Sequence, residues 1–354
     1  MAYTTIDNPT DYFTIVLTTS TGSALTIDTG FKPDWLWTKA RNQARSHELH
    51  DTTRGDNKRL KSDATTAEES YSNYLAFTST GATLGTNHNI GYHTGGSTTG
   101  VCWAWKANGG TETNSQAESG SNIACSVQAN TTAGFSIITY TGTGGTGHTF
   151  LHGLGSAPAF FIIKRRSGTE DWLVYHHKNT SAPETDHLLL NTTDATSDSD
   201  TRFDDTAPNG TEIALGNNAV CNADGSTYVC YAFKEIKGYS LFSSFTGTGN
   251  DDGPMVFCGF KPSWVMIKRT NGSNSWVLFD NKRNAFNVTS RSLKANESHA
   301  EENSSSANNV DLLSNGFKLR DSNNDINASG GSYIFVAFAS SPLVGSDGTP
   351  CTAV

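Results

Sequence analysis

The chain contains the same sequence pattern three times. The pattern begins with proline, continues through an aromatic residue and apolar residues, and ends on lysine; its copies are 33–39, 158–164 and 262–268. An aromatic-rich segment follows each copy at a similar distance, and these segments are 101–105, 228–233 and 333–338. Matches of this length and order are not expected by chance. The chain therefore consists of three related units, each long enough to bury a core of its own.

The arrangement of apolar residues predicts β-structure. They occur in short runs rich in β-branched and aromatic residues, bounded by Gly, Asn, Asp, Ser and Thr, which is typical of strands. Roughly six or seven strands per unit match a two-sheet sandwich of about 100 residues. We therefore predict an all-β fold of three tandem antiparallel β-sandwich domains of jelly-roll or lectin-like type. One face of each sheet should be buried and the other solvated, and short helices are expected only at 63–70 and 296–302.

The repeats also predict domain boundaries. A polar stretch, 108–121, is expected to be a flexible linker, and 342–354 a C-terminal tail. The predicted β-sandwich domains are 1–107, 122–235 and 236–341. Only 236–238 separate the last strand of the second domain from the first strand of the third. Those two domains should therefore be fixed to each other, while the first is more loosely tethered.

Composition and charge exclude some classes of function. The formal net charge is −9 and the basic residues are dispersed, whereas phosphate binding needs a concentrated basic face. We therefore expect no nucleic-acid partner. No apolar run is long enough to span a membrane, and the N-terminal residues lack the basic and apolar regions of a signal peptide.

The six cysteines predict neither a disulfide framework nor a zinc site. Cys102 and Cys230 hold equivalent positions in the repeat, where the third unit has Phe335. A position that accepts both Cys and Phe is a core position. Cys/His spacing typical of zinc is absent from the sequence, and free thiols suit a reducing cytosol. A single bond between Cys221 and Cys230 across a hairpin remains open.

Several segments resemble a family of repeated β-domains found in structural proteins of marine bacteriophages. The residues that carry this resemblance are 30–35, 130–137, 153–158 and 313–320. The resemblance extends from about Phe31 to Phe338. It implies a virion protein, related to tail fibres, tail-associated proteins or other particle-surface proteins, with concanavalin-like lectin sandwiches. It implies no site residues.

The lysine that ends each repeated strand is the polar residue kept in all three units. Lys39, Lys164 and Lys268 could contact a ligand or partner at one end of a sandwich. The structural alternative, which the pattern favours, is a strand-terminal lysine paired with a carboxylate such as Asp51 or Asp280.

Other candidate contacts are aromatic residues and Gly-rich loops. Trp172 and Trp276 could stack on sugar rings if exposed, although their framework positions favour the core. The loops 142–152, with His148, and 243–253, with Asn250 and Asp251, differ from the first unit and could carry binding.

Metal and catalytic residues are not predicted. The acidic segments 250–253 and 321–325 could bind calcium, but polar turns have the same composition. The segment His47-Glu48-Leu49-His50 lacks the spacing of a zinc protease motif. The chain also has no Glu-x-Asp-x-x-Glu pattern for a concanavalin-like glucanase and no nucleophile or phosphate-loop motif. We predict no enzyme activity and no cofactor.

The expected function is that of a non-enzymatic bacteriophage virion structural protein. It would be a particle-surface or tail-associated component, made in the host cytoplasm and acting in assembly and host-surface attachment. Its partners would be other virion proteins, copies of itself in a homo-oligomer such as a trimer, and host-surface glycan. A capsid decoration protein or a free carbohydrate-binding, lectin-like protein are the alternatives.

Overall fold

A computed structural model describes residues 3–20, 22–91, 97–303 and 308–350. The described chain is all-β, with several antiparallel sheets. We call residues 1–107 unit 1, 122–235 unit 2 and 236–341 unit 3. Cys351, one of the six cysteines, lies outside the described residues.

Unit 1 contains a single turn of 3₁₀ helix at Pro9–Asp11, before its first strand. Its strands are β1 Phe13–Thr19, β2 Leu25–Asp28, β3 Trp35–Ala40, β4 Glu48–Asp51, β5 Lys58–Arg59, β6 Glu69–Ser70, β7 Leu75–Phe77, β8 Gly81–Leu84 and β9 Thr99–Trp105.

Unit 2 is preceded by β10 (Asn114–Gln116) and contains two helices of one turn each, α1 Asp200–Phe203 and α2 Ala219–Asn222. Its strands are β11 Cys125–Asn130, β12 Phe135–Thr141, β13 His148–Leu151, β14 Phe160–Arg165, β15 Trp172–His176, β16 Asp186–Leu189, β17 Ser197–Asp198, β18 Glu212–Leu215 and β19 Thr227–Phe233.

In unit 3 the described residues form strands and no helix. The strands are β20 Ser240–Thr246, β21 Met255–Phe257, β22 Phe260–Arg269, β23 Val277–Asp280, β24 Arg291–Lys294, β25 Glu302–Asn303, β26 Val310–Leu313, β27 Gly316–Leu319 and β28 Ser332–Pro342.

Four strands of every unit pair in the same order. In each unit a strand that precedes the proline-led strand (β1, β12 or β20) pairs with the closing aromatic-rich strand. The closing strand also pairs with the proline-led strand, and the proline-led strand pairs with the strand after it. These orders are β1-β9-β3-β4, β12-β19-β14-β15 and β20-β28-β22-β23. Each unit also has a small separate sheet, and these are β2-β8-β7, β13-β18 and β21-β27-β26. The repeat in the sequence is therefore a repeat of topology.

The two faces of each main sheet contact different apolar clusters. On β9, Cys102 and Ala104 belong to a cluster confined to unit 1, whereas Trp103 and Trp105 belong to a cluster that all three units share. Successive side chains of a strand point to opposite faces, which produces this division. Units 2 and 3 have private clusters of the same kind.

We call the cluster common to all units the shared core. Its rings meet across the units: Trp35 stacks on Tyr231 with centroids 4.5 Å apart, and Phe233 meets Phe338 at 5.6 Å. Trp105 meets Trp264 edge-on at 5.7 Å, which joins unit 1 to unit 3. The expectation that each main sheet exposes one face to solvent is therefore wrong, because the faces expected to be solvated pack against one another in the shared core.

The expected loose tether of unit 1 is also wrong. Strand β10 lies within the predicted flexible linker and pairs with β11, and Gly110 donates its N–H to Oε1 of Gln128 at 2.9 Å. The Gln128 amide in turn donates to the Thr52 and Thr53 hydroxyls of unit 1. Unit 1 is thus held both by the segment 108–121 and by the shared core.

Two smaller expectations are corrected. The helices predicted at 63–70 and 296–302 do not form; each segment ends in a short strand, β6 or β25. The five described cysteines are all buried and free, so Cys221 and Cys230 form no disulfide. The predicted core position shared by Cys102, Cys230 and Phe335 is confirmed, since each is buried in the private cluster of its unit.

Candidate functional site

The three repeated lysines lie buried where the units meet. Nζ of Lys164 in unit 2 donates to the carbonyl oxygen of Thr65 in unit 1, at 2.8 Å. Lys268 in unit 3 donates to Thr193 in unit 2 at 2.9 Å. Lys39 in unit 1 donates to Ser298 in unit 3 at 3.2 Å, so the set of contacts closes into a ring. We call each of these three contact regions between units a joint.

Each lysine also binds a carbonyl in its own unit. Lys164 donates to Glu170 at 2.5 Å, Lys268 to Asn274 at 2.6 Å and Lys39 to Ala40 at 2.8 Å. Burial lowers the pKa of all three ammonium groups to about 8, because the charged form loses its water. The carbonyl oxygens replace part of that hydration.

Neither sequence interpretation of these lysines is correct. They are fully buried, so they present no contact to an external ligand. Their ammonium groups bind backbone carbonyls instead of pairing with Asp51 or Asp280, which bind Arg54 and Arg283.

The residue fourteen positions after each repeated proline makes a second ring of contacts. Nε1 of Trp172 donates to the Lys61 carbonyl of unit 1 at 2.7 Å, and Nε1 of Trp276 to the Leu189 carbonyl of unit 2 at 2.9 Å. In unit 1 this position is His47, whose Nε2 lies 3.0 Å from the Lys294 carbonyl of unit 3. Both tryptophans are buried, so they form no platform for sugar rings.

The tautomer of His47 follows from its two neighbours. Nδ1 accepts from the indole N–H of Trp37 at 2.9 Å, so Nε2 carries the proton and donates to Lys294. Burial holds the pKa of His47 well below its ordinary value. A neutral imidazole therefore replaces the indole donor of the other two units.

A third ring of contacts runs in the opposite direction. Asp51 of unit 1 accepts from the Tyr231 hydroxyl of unit 2 at 2.6 Å, and Asp280 of unit 3 accepts from Nε1 of Trp103 in unit 1 at 3.0 Å. In unit 2 the equivalent residue is His176, whose Nε2 lies 3.1 Å from the Phe335 carbonyl of unit 3. Every unit thus reaches both of its neighbours through the same framework positions.

Ion pairs reinforce two of the three joints. Glu68 of unit 1 binds Arg54 of its own unit and Arg166 of unit 2, and Glu301 of unit 3 binds Arg283 of its own unit and Arg41 of unit 1. Burial raises the pKa of Glu68 and Glu301, but the arginines outweigh it and the net pKa is lowered.

The third joint keeps the backbone contact without the ion pair. Thr196 N–H donates to the Thr270 carbonyl at 2.9 Å. The equivalent bonds in the other joints run from Glu68 N–H to the Arg166 carbonyl and from Glu301 N–H to the Arg41 carbonyl. Thr196 and Thr270 thus occupy the positions that glutamate and arginine hold in the other two joints.

The two Gly-rich loops are part of the framework. A buried asparagine clamps each one: Asn222 accepts from Thr143 N–H at 2.8 Å, and Asn327 accepts from Thr248 N–H at 2.8 Å. A Cβ at Gly142 or Gly247 would lie 2.4 Å from a carbonyl oxygen, so both positions require glycine. The loops are therefore built in the same way in units 2 and 3.

The remaining candidate residues of these loops are at the surface. His148 is partly exposed, and its Nδ1 lies 2.7 Å from the Thr143 hydroxyl. Asn250 and Asp251 are exposed, with Oδ1 of Asn250 accepting from Asp252 N–H. These three residues remain available to a partner.

The calcium candidates are occupied by contacts within the protein. Asp252 binds Lys318 and Arg320, which neutralise segment 250–253. In segment 321–325, Asp321 accepts from Asn323 N–H at 2.7 Å and Asp325 from Ser275 N–H at 3.2 Å. These contacts are typical of polar turns rather than of an oxygen cage.

The structure also contains a buried cluster of ionisable side chains that was not predicted from the sequence. Glu48 and His50 on β4 meet His88, from the turn after β8, inside unit 1. Among the described residues, this is the one group of three His, Cys, Asp or Glu side chains whose ligand atoms all lie within 4.8 Å of one another. The sequence signal was the Glu-x-His alternation, which places both side chains on one face of a strand. The third member lies too far along the chain to be linked to them by spacing.

The comparisons with known proteins place the chain in a family. Residues 8–342 match the family described as Domain of unknown function (DUF7483), and the chain belongs to it. One match spans all three units, in agreement with the shared core. No curated protein matches the sequence. Among the described residues, no helix is long and apolar enough to cross a membrane.

Proposed function

We propose that this protein is a non-enzymatic virion structural protein of a bacteriophage, located at the particle surface or tail, where it acts in assembly and host-surface attachment. In this proposal each unit is a β-sandwich, with its main sheet packed against its small sheet. The three sandwiches form one rigid body that displays its outer loops to partners.

The observation that carries the proposal is the closed ring of joints. Lysines, tryptophans and carboxylates at equivalent positions are all used to bind one unit to the next. A chain built in this way resembles a covalently linked trimer, and three-fold arrangements are common in symmetric assemblies. The repeated framework thus serves cohesion, which suits a mechanical role.

The distribution of exposed apolar side chains supports a docking role for unit 3. Among the described residues, large exposed hydrophobic side chains in this unit are Met255, Phe257, Phe286 and Val288. Phe286 is 81% exposed and Phe257 58% exposed. Unit 2 contributes none of the large exposed hydrophobic residues found in the described chain. Neighbouring virion proteins, or further copies of this chain, are the proposed partners at unit 3.

Capsid decoration is the closest alternative, because a body with three similar units could sit on a three-fold position of a capsid lattice. A free lectin-like protein is less well supported. Its expected sugar platforms, Trp172 and Trp276, are buried in the shared core.

Cryo-electron microscopy of assembled particles tests the proposal. Density for the three-unit body at the tail would support attachment, and the residues to mutate next would be His148, Asn250 and Asp251. Density on the capsid lattice would assign decoration instead. Absence of the chain from purified particles, together with binding to an array of bacterial glycans, would replace the virion proposal with the lectin.

A further inference from the structure

Unit 1 places a polar cluster where the other units have apolar core. Glu48 and His50 occupy the positions of Leu173 and Tyr175 in unit 2, and of Val277 and Phe279 in unit 3. All six side chains are buried. Buried ionisable groups cost free energy unless they are paired or coordinate a metal. The framework tolerates apolar residues at both positions, so unit 1 departs from it for a separate reason.

Only one of the two carboxylate oxygens of Glu48 accepts hydrogen bonds from the described residues. Its Oε1 accepts from Nη1 of Arg59 at 2.6 Å and from the hydroxyl of Tyr74 at 2.5 Å. Its Oε2 makes no hydrogen bond to the described residues and lies 3.2 Å from Nε2 of His88. Glu48 is fully buried, so this oxygen is an unpartnered acceptor aimed at the histidines.

The two histidines turn their Nε2 atoms toward the same point. Nδ1 of His50 lies 2.7 Å from the carbonyl of Lys58, which assigns the proton to Nδ1 and leaves a lone pair on Nε2. Nε2 of His88 lies 3.2 Å from Nε2 of His50. A backbone carbonyl that fixes the far nitrogen is the usual support of a metal-ligating histidine.

Both imidazoles are neutral, as metal ligands must be. Burial, together with the neighbouring His88, lowers the pKa of His50 to about 3. Burial also lowers the pKa of His88 to about 3, with Arg59 acting in the same direction. By geometry, the cluster offers two imidazole nitrogens and one carboxylate oxygen.

We propose that Glu48 Oε2, His50 Nε2 and His88 Nε2 form a structural zinc(II) site inside unit 1. Zinc bonds of about 2.0–2.1 Å in a tetrahedron place neighbouring ligand atoms about 3.3–3.4 Å apart. The separations of 3.2 Å from His88 Nε2 to the other two ligand atoms are close to this value, and those two atoms lie within 4.8 Å of each other. A water molecule completes the fourth position. The site is structural because all three ligand side chains are closed to solvent, leaving no room for a substrate.

Zinc binding requires one proton to move within His88. Ile90 N–H donates to Nδ1 of His88 over a long 3.3 Å, which places the ring proton on Nε2 in the absence of metal. Coordination through Nε2 transfers that proton to Nδ1 and breaks the Ile90 contact. No proton is gained or lost, and two long hydrogen bonds are given up, from Ile90 N–H to His88 Nδ1 at 3.3 Å and from His88 Nε2–H to His50 Nε2 at 3.2 Å.

Because the cluster is sealed, zinc enters while the chain folds. The test unfolds the full chain in a chelator, refolds it with either zinc sulfate or chelator, and removes free metal. Elemental analysis of the folded protein then gives the metal content. We expect about one zinc per chain and a melting temperature several degrees higher than that of the chelator-refolded protein.

Two ligand variants and one matched control make the result specific. Glu48→Gln keeps the hydrogen-bonding shape toward Arg59 and Tyr74 but weakens the ligand, and His50→Tyr installs the residue of unit 2. Both should lose stoichiometric zinc and the zinc-dependent rise in melting temperature. His176→Gln removes another buried histidine outside the cluster and should retain both.

Refolding with cobalt(II) gives an independent readout, since tetrahedral cobalt absorbs strongly in the visible range. The proposal is overturned if the wild-type chain refolds with substoichiometric metal and melts at the same temperature in zinc and in chelator. The cluster would then be a metal-free hydrogen-bond network. Stoichiometric binding of a different metal in preference to zinc would also overturn it.

Discussion

At the scale of single residues, the repeated lysine is the feature that most clearly links sequence to structure. Each ammonium group binds at least one carbonyl of its own unit and one carbonyl of a neighbouring unit. The repeat alone identified the residue as important. Its environment was not predictable, because a strand-terminal lysine normally reaches solvent, and only the packing of neighbouring units closes over it.

Lys164→Met should destabilise the protein strongly. The substitution preserves the aliphatic chain but leaves the Glu170 carbonyl without its donor and the Thr65 carbonyl with only the N–H of Glu170. We expect a loss of about 2–4 kcal/mol in the free energy of unfolding. Chemical denaturation measures it, with the exposed Lys178→Met as a control that should change little. Equal effects of the two substitutions would show that the joint contact contributes nothing.

The cost of removing one of these lysines should depend on pH. The pKa of Lys268 is about 8 in the folded protein, against an ordinary value of 10.5. Between these values the unfolded chain binds more protons, so the contribution of the lysine to stability rises with pH. The charged groups nearest to Lys268 are Asp194, Asp325 and Arg269.

Lys268→Met should therefore destabilise the protein more at pH 10 than at pH 7. Denaturation curves of wild type and variant at both values provide the measurement, and taking their difference cancels the ionisation of thiols common to both proteins. A difference that stays constant or shrinks toward pH 10 would contradict the lowered pKa.

At the scale of elements, the repeated main strands were predictable and the segments that connect them were not. The aromatic-rich closing segments and the proline-led segments all form strands, as their composition predicts. The segments 63–70 and 296–302 lack apolar periodicity, so their predicted helices rested on weak local signals. Contacts with the next unit, such as Glu68 N–H to the Arg166 carbonyl, hold these segments extended instead.

Glu301→Gln should weaken the joint between units 3 and 1. Glu301 binds Arg41, Arg283 and Arg291, and the side chain of Arg283 is fully buried. Loss of the carboxylate leaves that buried charge less well compensated, at an expected cost of about 2–4 kcal/mol. Thermal and urea unfolding would measure this cost. The adjacent Glu302→Gln, at a side chain 35% exposed, should cost less than about 1 kcal/mol. A larger effect at Glu302 than at Glu301 would contradict this account of the joint.

At the scale of the whole molecule, the sequence predicted three separate tandem domains, whereas the structure has one core shared by all three units. A signal for this difference was present in the unbroken apolar run Phe160 to Ile163, since strands buried on both faces read in this way. The same run would also fit a strand in an isolated β-sandwich. It therefore did not decide between three separate cores and one shared core. Ring closure depends on contacts between residues such as Lys39 and Ser298, whose separation in sequence hides their relation.

The central claim is that the three units form a single cooperative body, and differential scanning calorimetry of the full chain tests it most directly. The shared core and the ring of joints predict one transition, with the van't Hoff enthalpy of unfolding equal to the calorimetric enthalpy. Separate transitions, with unit 1 melting apart from units 2 and 3, would contradict the shared core and restore the picture of independent domains.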